Sequence, residues 1–227
     1  MDLDDLSLEK NISVNENDAF IVVDIQNDFI PGGALPVEEG DTIIENINHI
    51  ATIFYEKNAK IVFTQDWHPR NHLSFASMHP GKEPGDEFQS DDGSIGPILW
   101  PDHCVQGTEG ARFHDNLETV WGALIIRKGT NPNIDSYSAF LENDQKTETG
   151  LAGYLKSLNI KRIFIAGLAL DYCCYYTAID GLKLGFEVHF FIDLAKGIDA
   201  PEGNISNSLR DMVDNGVKFI NINGIKK

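Results

Sequence analysis

RIFIAGLALDYCCYYTAIDGLKLG, residues 162–185, contains the passage that decides the fold. Its first eight residues, Arg162 to Ala169, are a short, continuous apolar run of the kind that makes a strand buried on both faces. Almost at once the pattern changes to helical spacing, with Tyr172, Tyr176, Ile179 and Leu182 aligned and Gly185 as a C-terminal stop. Strands without polar alternation, separated by amphipathic helices, imply a parallel sheet with helices on both faces.

The same alternation extends in both directions. Upstream, AFIVVDI (Ala19 to Ile25), KIVFTQ from Lys60 and GALIIRKG ending at Lys128 read as three more buried strands. Downstream, FEVHFFID and a segment near Val217 to Ile220 give the fifth and sixth. Between them, Ile43, Ile47, Ile50 and Phe54 define a helix with Asp41 as its N-cap. Leu151, Leu155 and Leu158 define another, and Ile205, Leu209 and Met212 a third. The expectation is one three-layer α/β/α domain over residues 19–227 with a six-stranded parallel sheet, preceded by a polar lead-in over 1–18. Residues 66–118 interrupt the pattern with a long irregular segment rich in His, Pro, Gly and Asp, which in a compact domain is usually functional.

Composition narrows the class. A chain of 227 residues, 42% hydrophobic and 23% charged, has enough apolar side chain for one sizeable core. A formal net charge of -17 repels phosphate and excludes non-specific nucleic-acid binding. No run approaches the ~20 apolar residues that span a bilayer, and the acidic N-terminus does not read as a signal peptide. Three cysteines, two of them adjacent, make a poor disulfide framework, so a reducing cytoplasm is the expected compartment.

In open parallel sheets, ligands bind beyond the carboxyl ends of the strands. Asp24, Asp66, Lys128 and Cys173 all fall at such ends. A free cysteine is usually a small buried hydrophobe, but Cys173 lies in the first turn after a strand. There, helix N–H groups and a nearby cation would lower its pKa from the free value of about 8.5. With Asp24 as base and Lys128 as cation it forms a nucleophilic constellation. Cys174 and Cys104 read as structural. Asp66, His68, His72 and His103, gathered from the irregular segment, suit zinc, iron or manganese by ligand type. Phe29, Trp100 and Tyr137 offer aromatic walls beside them.

These residues, in this order, resemble the nicotinamidases of the isochorismatase-like hydrolase family across nearly the whole chain. The matching segments are IVVDIQNDFIPGGALPV, TQDWHPRNHLSFAS, LWPDHCVQGTEGARF, IRKGTNPNIDSYSAF and AGLALDYCCYYTA. The resemblance implies a Cys173–Asp24–Lys128 triad and one divalent metal, zinc first and iron or manganese after it, held by Asp66, His68 and His103. His72 is a weaker ligand candidate. A substrate ring would lie between Phe29, Trp100 and Tyr137, and the N–H groups of Ala169 and Cys173 would form an oxyanion hole beside a cis Leu168–Ala169 peptide. The implied reaction converts nicotinamide to nicotinate and ammonia through a nicotinoyl thioester, in NAD salvage, with pyrazinamide as an analogue and a homo-oligomer as an open alternative to the monomer. Leu170, where relatives often carry Thr or Ser, and the doubled Cys174 depart from the pattern. The rival readings are an amidohydrolase acting on N-carbamoyl or ureido substrates, isochorismatase proper, and a non-catalytic protein with a closed structural zinc site.

Overall fold

The structure is a computed structural model that describes residues 6–226. Six parallel strands form one sheet: β1 (Asp18–Val23), β2 (Lys60–Asp66), β3 (Leu124–Lys128), β4 (Arg162–Leu168), β5 (Glu187–Lys196) and β6 (Lys218–Ile220). Their order is β3-β2-β1-β4-β5-β6. The chain builds outward from β1 to β3, then returns to lay β4 on the other side of β1. The direction of winding therefore reverses between β1 and β4, and a crevice opens there beyond the strand ends.

Strand alternation decides which helix covers which face. Phe20 and Val22 point to one side and pack with Ile44, Ile47, Ile50 and Phe54 of α1 (Ile44–Glu56). Ala19, Ile21 and Val23 point to the other side. There they join Leu151 and Leu155 of α2 (Leu151–Ser157), Ile179 of α3 (Tyr175–Lys183), and Leu209 and Met212 of α4 (Asn204–Asn215). Gly167, at φ +127°, lies so close to β1 that a Cβ would fall 2.1 Å from the Val23 carbonyl oxygen. Only glycine allows that approach.

Three local expectations change. Asp41 caps nothing with its side chain: α1 begins later, with Ile43 as N-cap, and only the Asp41 carbonyl accepts a bond, from the Ile44 N–H at 3.3 Å. Leu158 is 37% exposed, because α2 ends at Ser157 and the chain turns before a further apolar layer is needed. Between β4 and α3 the residues Leu170–Cys174 form a wider π-type turn. The described part of the N-terminal segment is docked. Leu8 bridges to Phe219 and Ile12 to Ile225, and Leu6, Ile12 and Val14 are buried. Residues 1–5 of the expected lead-in lie outside the described residues. Among the described residues, no helix is long and apolar enough to cross a membrane.

Candidate active site

The strand ends bring four sequence-distant side chains to one point. The Lys128 ammonium lies 2.9 Å from Asp24 Oδ2 and 3.4 Å from Cys173 Sγ, hydrogen-bonds the Asp66 carboxylate, and donates to the Ser136 carbonyl at 2.9 Å. Lys128 and Asp24 have no solvent exposure, and Asp66 and Cys173 have almost none. An ammonium and carboxylates survive such burial only as a tightly paired group.

Asp24 stands just past β1 at φ +47°. Thr64 on β2 holds it twice: the Thr64 hydroxyl donates to Asp24 Oδ1 at 2.6 Å and accepts the Asp24 N–H at 3.1 Å. That fixes one carboxylate oxygen and leaves Oδ2 without an aligned hydrogen bond, although it is ion-paired with Lys128. Oxygens of Asp24 and Asp66 and the Cys173 sulfur all lie within 4.8 Å of one another. Burial raises the Asp24 pKa, and the attraction of Lys128 only partly offsets it. For Asp66, Lys128 and His68 outweigh burial and hold the carboxyl well below its usual range. Burial disfavours the Lys128 charge, but Asp24 and Asp66 overcome it and keep the amine protonated.

Cys173 departs from expectation. Burial pushes its thiol well above the usual value, and the pull of Lys128 in the other direction is outweighed. The strand-to-helix turn does not make a resting thiolate here. A thiol disfavoured in this way from ionising needs a base before it can attack, and the Asp24 carboxyl is placed beside it. Cys104 and Cys174 are free and completely buried, in keeping with structural roles. Leu170 and Cys174 pack into the core beneath the turn. The Leu168–Ala169 peptide is cis, and the N–H groups of Tyr172 and Cys174 both donate to the Ala169 carbonyl at 3.1 Å.

Asp66, His68 and His103 present donor atoms within 4.8 Å of one another. His68 Nε2 lies 3.4 Å and His103 Nε2 3.8 Å from Asp66 Oδ2. Each ring is oriented from behind: His68 Nδ1 bonds the Gly129 carbonyl at 2.9 Å and His103 Nδ1 the Pro101 carbonyl at 2.8 Å. A carbonyl can only accept, so each Nδ1 carries the proton and each Nε2 lone pair faces the carboxylate. This is how metal-ligating imidazoles are held. Gly129 makes it possible, since a Cβ there would sit 2.3 Å from the His68 ring. Burial works against a charged His68, yet Asp66 outweighs it and raises the His68 pKa, a sign that the cluster favours positive charge. One carboxylate and two neutral imidazoles fit a divalent transition metal.

His72 does not belong to that trio. Its Nε2 donates to the Ile134 carbonyl at 3.2 Å, so its Nδ1 must accept from the Ser74 hydroxyl at 2.7 Å, and no lone pair remains. Burial lowers its pKa to about 4, which keeps the ring neutral.

The crevice is lined by Phe29, Trp100, Tyr137 and Tyr172 together with Asp66, His103 and Cys173. Trp100 Nε1 donates to the Tyr137 hydroxyl at 3.1 Å, and Tyr172 packs edge-on against both rings. Its walls are largely apolar and aromatic, the kind of surface against which a flat ring packs. Sequence reasoning missed Thr64, Asp135 and Tyr172. The tyrosine lies next to Cys173, and its sequence position shows only its helical spacing.

Residues 18–223 match the Isochorismatase domain family. A nicotinamidase from Acinetobacter baylyi is 48% identical over 219 residues, covering 96% of this chain and 99% of that protein. Among solved structures, a nicotinamidase/pyrazinamidase from Acinetobacter baumanii superposes with a TM-score of 0.86 at 47% identity, over 91% of this chain and 97% of that one. The pyrazinamidase of Pyrococcus horikoshii in complex with zinc gives a TM-score of 0.73 at 40% identity, over 90% and 99%.

Proposed function

The chain belongs to the isochorismatase-domain family, and from that premise we propose a residue-level account of its reaction. It is a nicotinamidase, a cysteine amidohydrolase that converts nicotinamide and water to nicotinate and ammonia in NAD salvage. The observation that carries our assignment of roles is the position of Lys128, whose ammonium bridges the Cys173 sulfur, Asp24 and Asp66.

Asp24 Oδ2, which is ion-paired with Lys128 but accepts no aligned hydrogen bond, takes the Cys173 proton as Sγ attacks the carboxamide carbon. The N–H groups of Ala169 and Cys173, on either side of the turn, are the donors assigned to the developing oxyanion. Lys128 stays protonated throughout and stabilises the thiolate and Asp24 in turn. As the tetrahedral adduct collapses, the C–N bond breaks, Asp24 returns the proton to nitrogen, and ammonia leaves a nicotinoyl thioester. Asp24 then deprotonates a water that attacks the thioester, the C–S bond breaks, Asp24 returns that proton to the sulfur, and the acid loses its remaining proton to solvent and departs as nicotinate.

Asp66, His68 and His103 would hold one divalent metal, for which we assign zinc; bound there it supplies a Lewis-acid anchor for the pyridine nitrogen. Phe29, Trp100 and Tyr137 sandwich the ring and exclude water. The compartment we assign is the cytoplasm, where three unpaired thiols persist.

An ammonia-release assay across nicotinamide, pyrazinamide and a ureido substrate tests the substrate assignment, and preference for the ureido compound would overturn it. Two further results are expected. Because Asp24 must be ionised and burial raises its pKa, kcat/KM falls on acidification with a limb above the ordinary carboxylate value of about 3.9. A profile still flat at about pH 4 would remove Asp24 as the base. Chelation should raise KM for nicotinamide by roughly tenfold or more, about 1.4 kcal/mol of lost ring anchoring, with recovery on adding divalent metal. Unchanged KM in metal-free protein would show that the ring is held by the aromatic walls alone.

A further inference from the structure

One group faces the crevice with no part in this chemistry. Asp135, in the loop after β3, is 2% exposed and lines the same slot as Asp66, His103 and Cys173. Its N–H donates to the Ser94 carbonyl at 2.8 Å, and its Oδ1 accepts the Ser136 N–H at 2.9 Å. Its Oδ2 is sealed from solvent with no hydrogen-bond partner among the described residues. Leaving a charged oxygen in that state is costly, so the position makes sense only if something other than the chain satisfies it.

The neighbours narrow the choice. A carboxylate oxygen of Asp135, a ring nitrogen of His68 and a ring nitrogen of His72 lie within 4.8 Å of one another. His72 is no partner, because its single ring proton is already given to Ile134. Lys128 is fully engaged by Asp24, Asp66 and Ser136. The ion pairs point the same way: Asp24 and Asp66 share the buried ammonium of Lys128, whereas Asp135 is in no ion pair among the described residues.

We propose that Asp135 is the second carboxylate of the metal centre, accepting a hydrogen bond from water that fills the ion's remaining positions and balancing its charge. This rests on Asp66, His68 and His103 as the metal donors. Asp135 is thus a positioning residue: it sets how tightly the ion is held and how its open side is oriented towards the ring.

The test compares wild type, Asp135→Asn and His103→Ala, each stripped and titrated with zinc(II) against a chromophoric chelator, with melting temperatures taken with and without zinc. Asparagine keeps the size of the side chain and the acceptor for the Ser136 N–H but removes the charge. Zinc affinity should fall 10- to 100-fold, the usual scale for residues supporting metal ligands. The metal-free Asp135→Asn protein should melt no lower than wild type, since an unpaired buried charge has been removed, while its zinc-induced rise in melting temperature shrinks. Zinc affinity within twofold of wild type overturns the proposal, and a lower metal-free melting temperature alongside that affinity assigns Asp135 to structure alone. Should Asp135→Asn fail to fold, Asp135→Ser reads the same loss of charge. His103→Ala separates the two readings: zinc binding that survives it undoes the metal trio itself, whereas unchanged affinity in the Asp135 variant alone undoes only the second carboxylate.

Discussion

Cys173→Ala should abolish ammonia release from nicotinamide, by roughly 10⁴-fold or more on the scale seen when a covalent nucleophile is removed, while leaving nicotinamide binding measurable. The size of the effect follows from the absence of a substitute. Cys174 and Cys104 are fully buried, and neither lines the crevice. Asp24 is held by Thr64 and Lys128 for proton transfer. The ring, in contrast, rests on Phe29, Trp100 and Tyr137 and on the metal residues, none of which depends on the sulfur. Loss of kcat with binding retained is therefore the expected pattern. Cys173→Ser should be almost as inactive. A hydroxyl is far harder to deprotonate than a thiol, and the crevice already pushes the thiol itself upward by burial. Steady-state ammonia release and equilibrium binding of nicotinamide to the variant are the measurements. Turnover within tenfold of wild type would mean that the reaction proceeds without a thioester.

The strands were readable because burial on both faces leaves a local mark, an unbroken apolar run such as FIVV or RIFIAGL. Strand ends were readable too, and with them Asp24, Asp66, Lys128 and Cys173, since a charged residue closing an apolar run has few structural reasons to be there. Thr64 was not. It lies inside KIVFTQ, where a threonine reads as one more β-branched residue, and its grip on Asp24 exists only once β1 and β2 pair. Asp135 was equally silent within a polar loop, because nothing local says which loop aspartate will be sealed from water. The acid–base state of Cys173 was misjudged for a related reason. Its position in the turn could be read from sequence, whereas the depth of its burial is set by Lys128, Asp24 and the aromatic walls arriving from elsewhere in the chain. His72 shows the converse: a metal-type residue beside the site is taken out of it by two contacts, with Ser74 and Ile134.

Lys128→Met should destabilise the metal-free protein by about 3–5 kcal/mol at neutral pH, the cost typical of removing one partner from a buried ion pair. Methionine approximates the length of the lysine stem, so the loss comes from charge rather than volume. Asp24 and Asp66 would then face each other, and the empty side of Cys173, with no cation among them. Burial, already the largest influence on both carboxyls, would be countered at Asp24 only by the Thr64 hydroxyl and at Asp66 only by His68 and His103. The sign of the pH dependence separates this cause from simple misfit. In wild type the depressed Asp66 pKa contributes stability above the unfolded value, and that stability is lost as pH falls. In the variant, carboxyls raised above their unfolded values bind more protons in the folded than in the unfolded state, so stability falls as pH rises. The gap between wild type and Lys128→Met should therefore widen from about pH 5 to about pH 7.5 in urea denaturation of metal-free protein. Lys128→Arg, which keeps the charge, should lose less stability than methionine at the higher pH. A deficit of the same size at both pH values would place the damage in packing, and Lys128 would no longer be the cation that holds these carboxylates together.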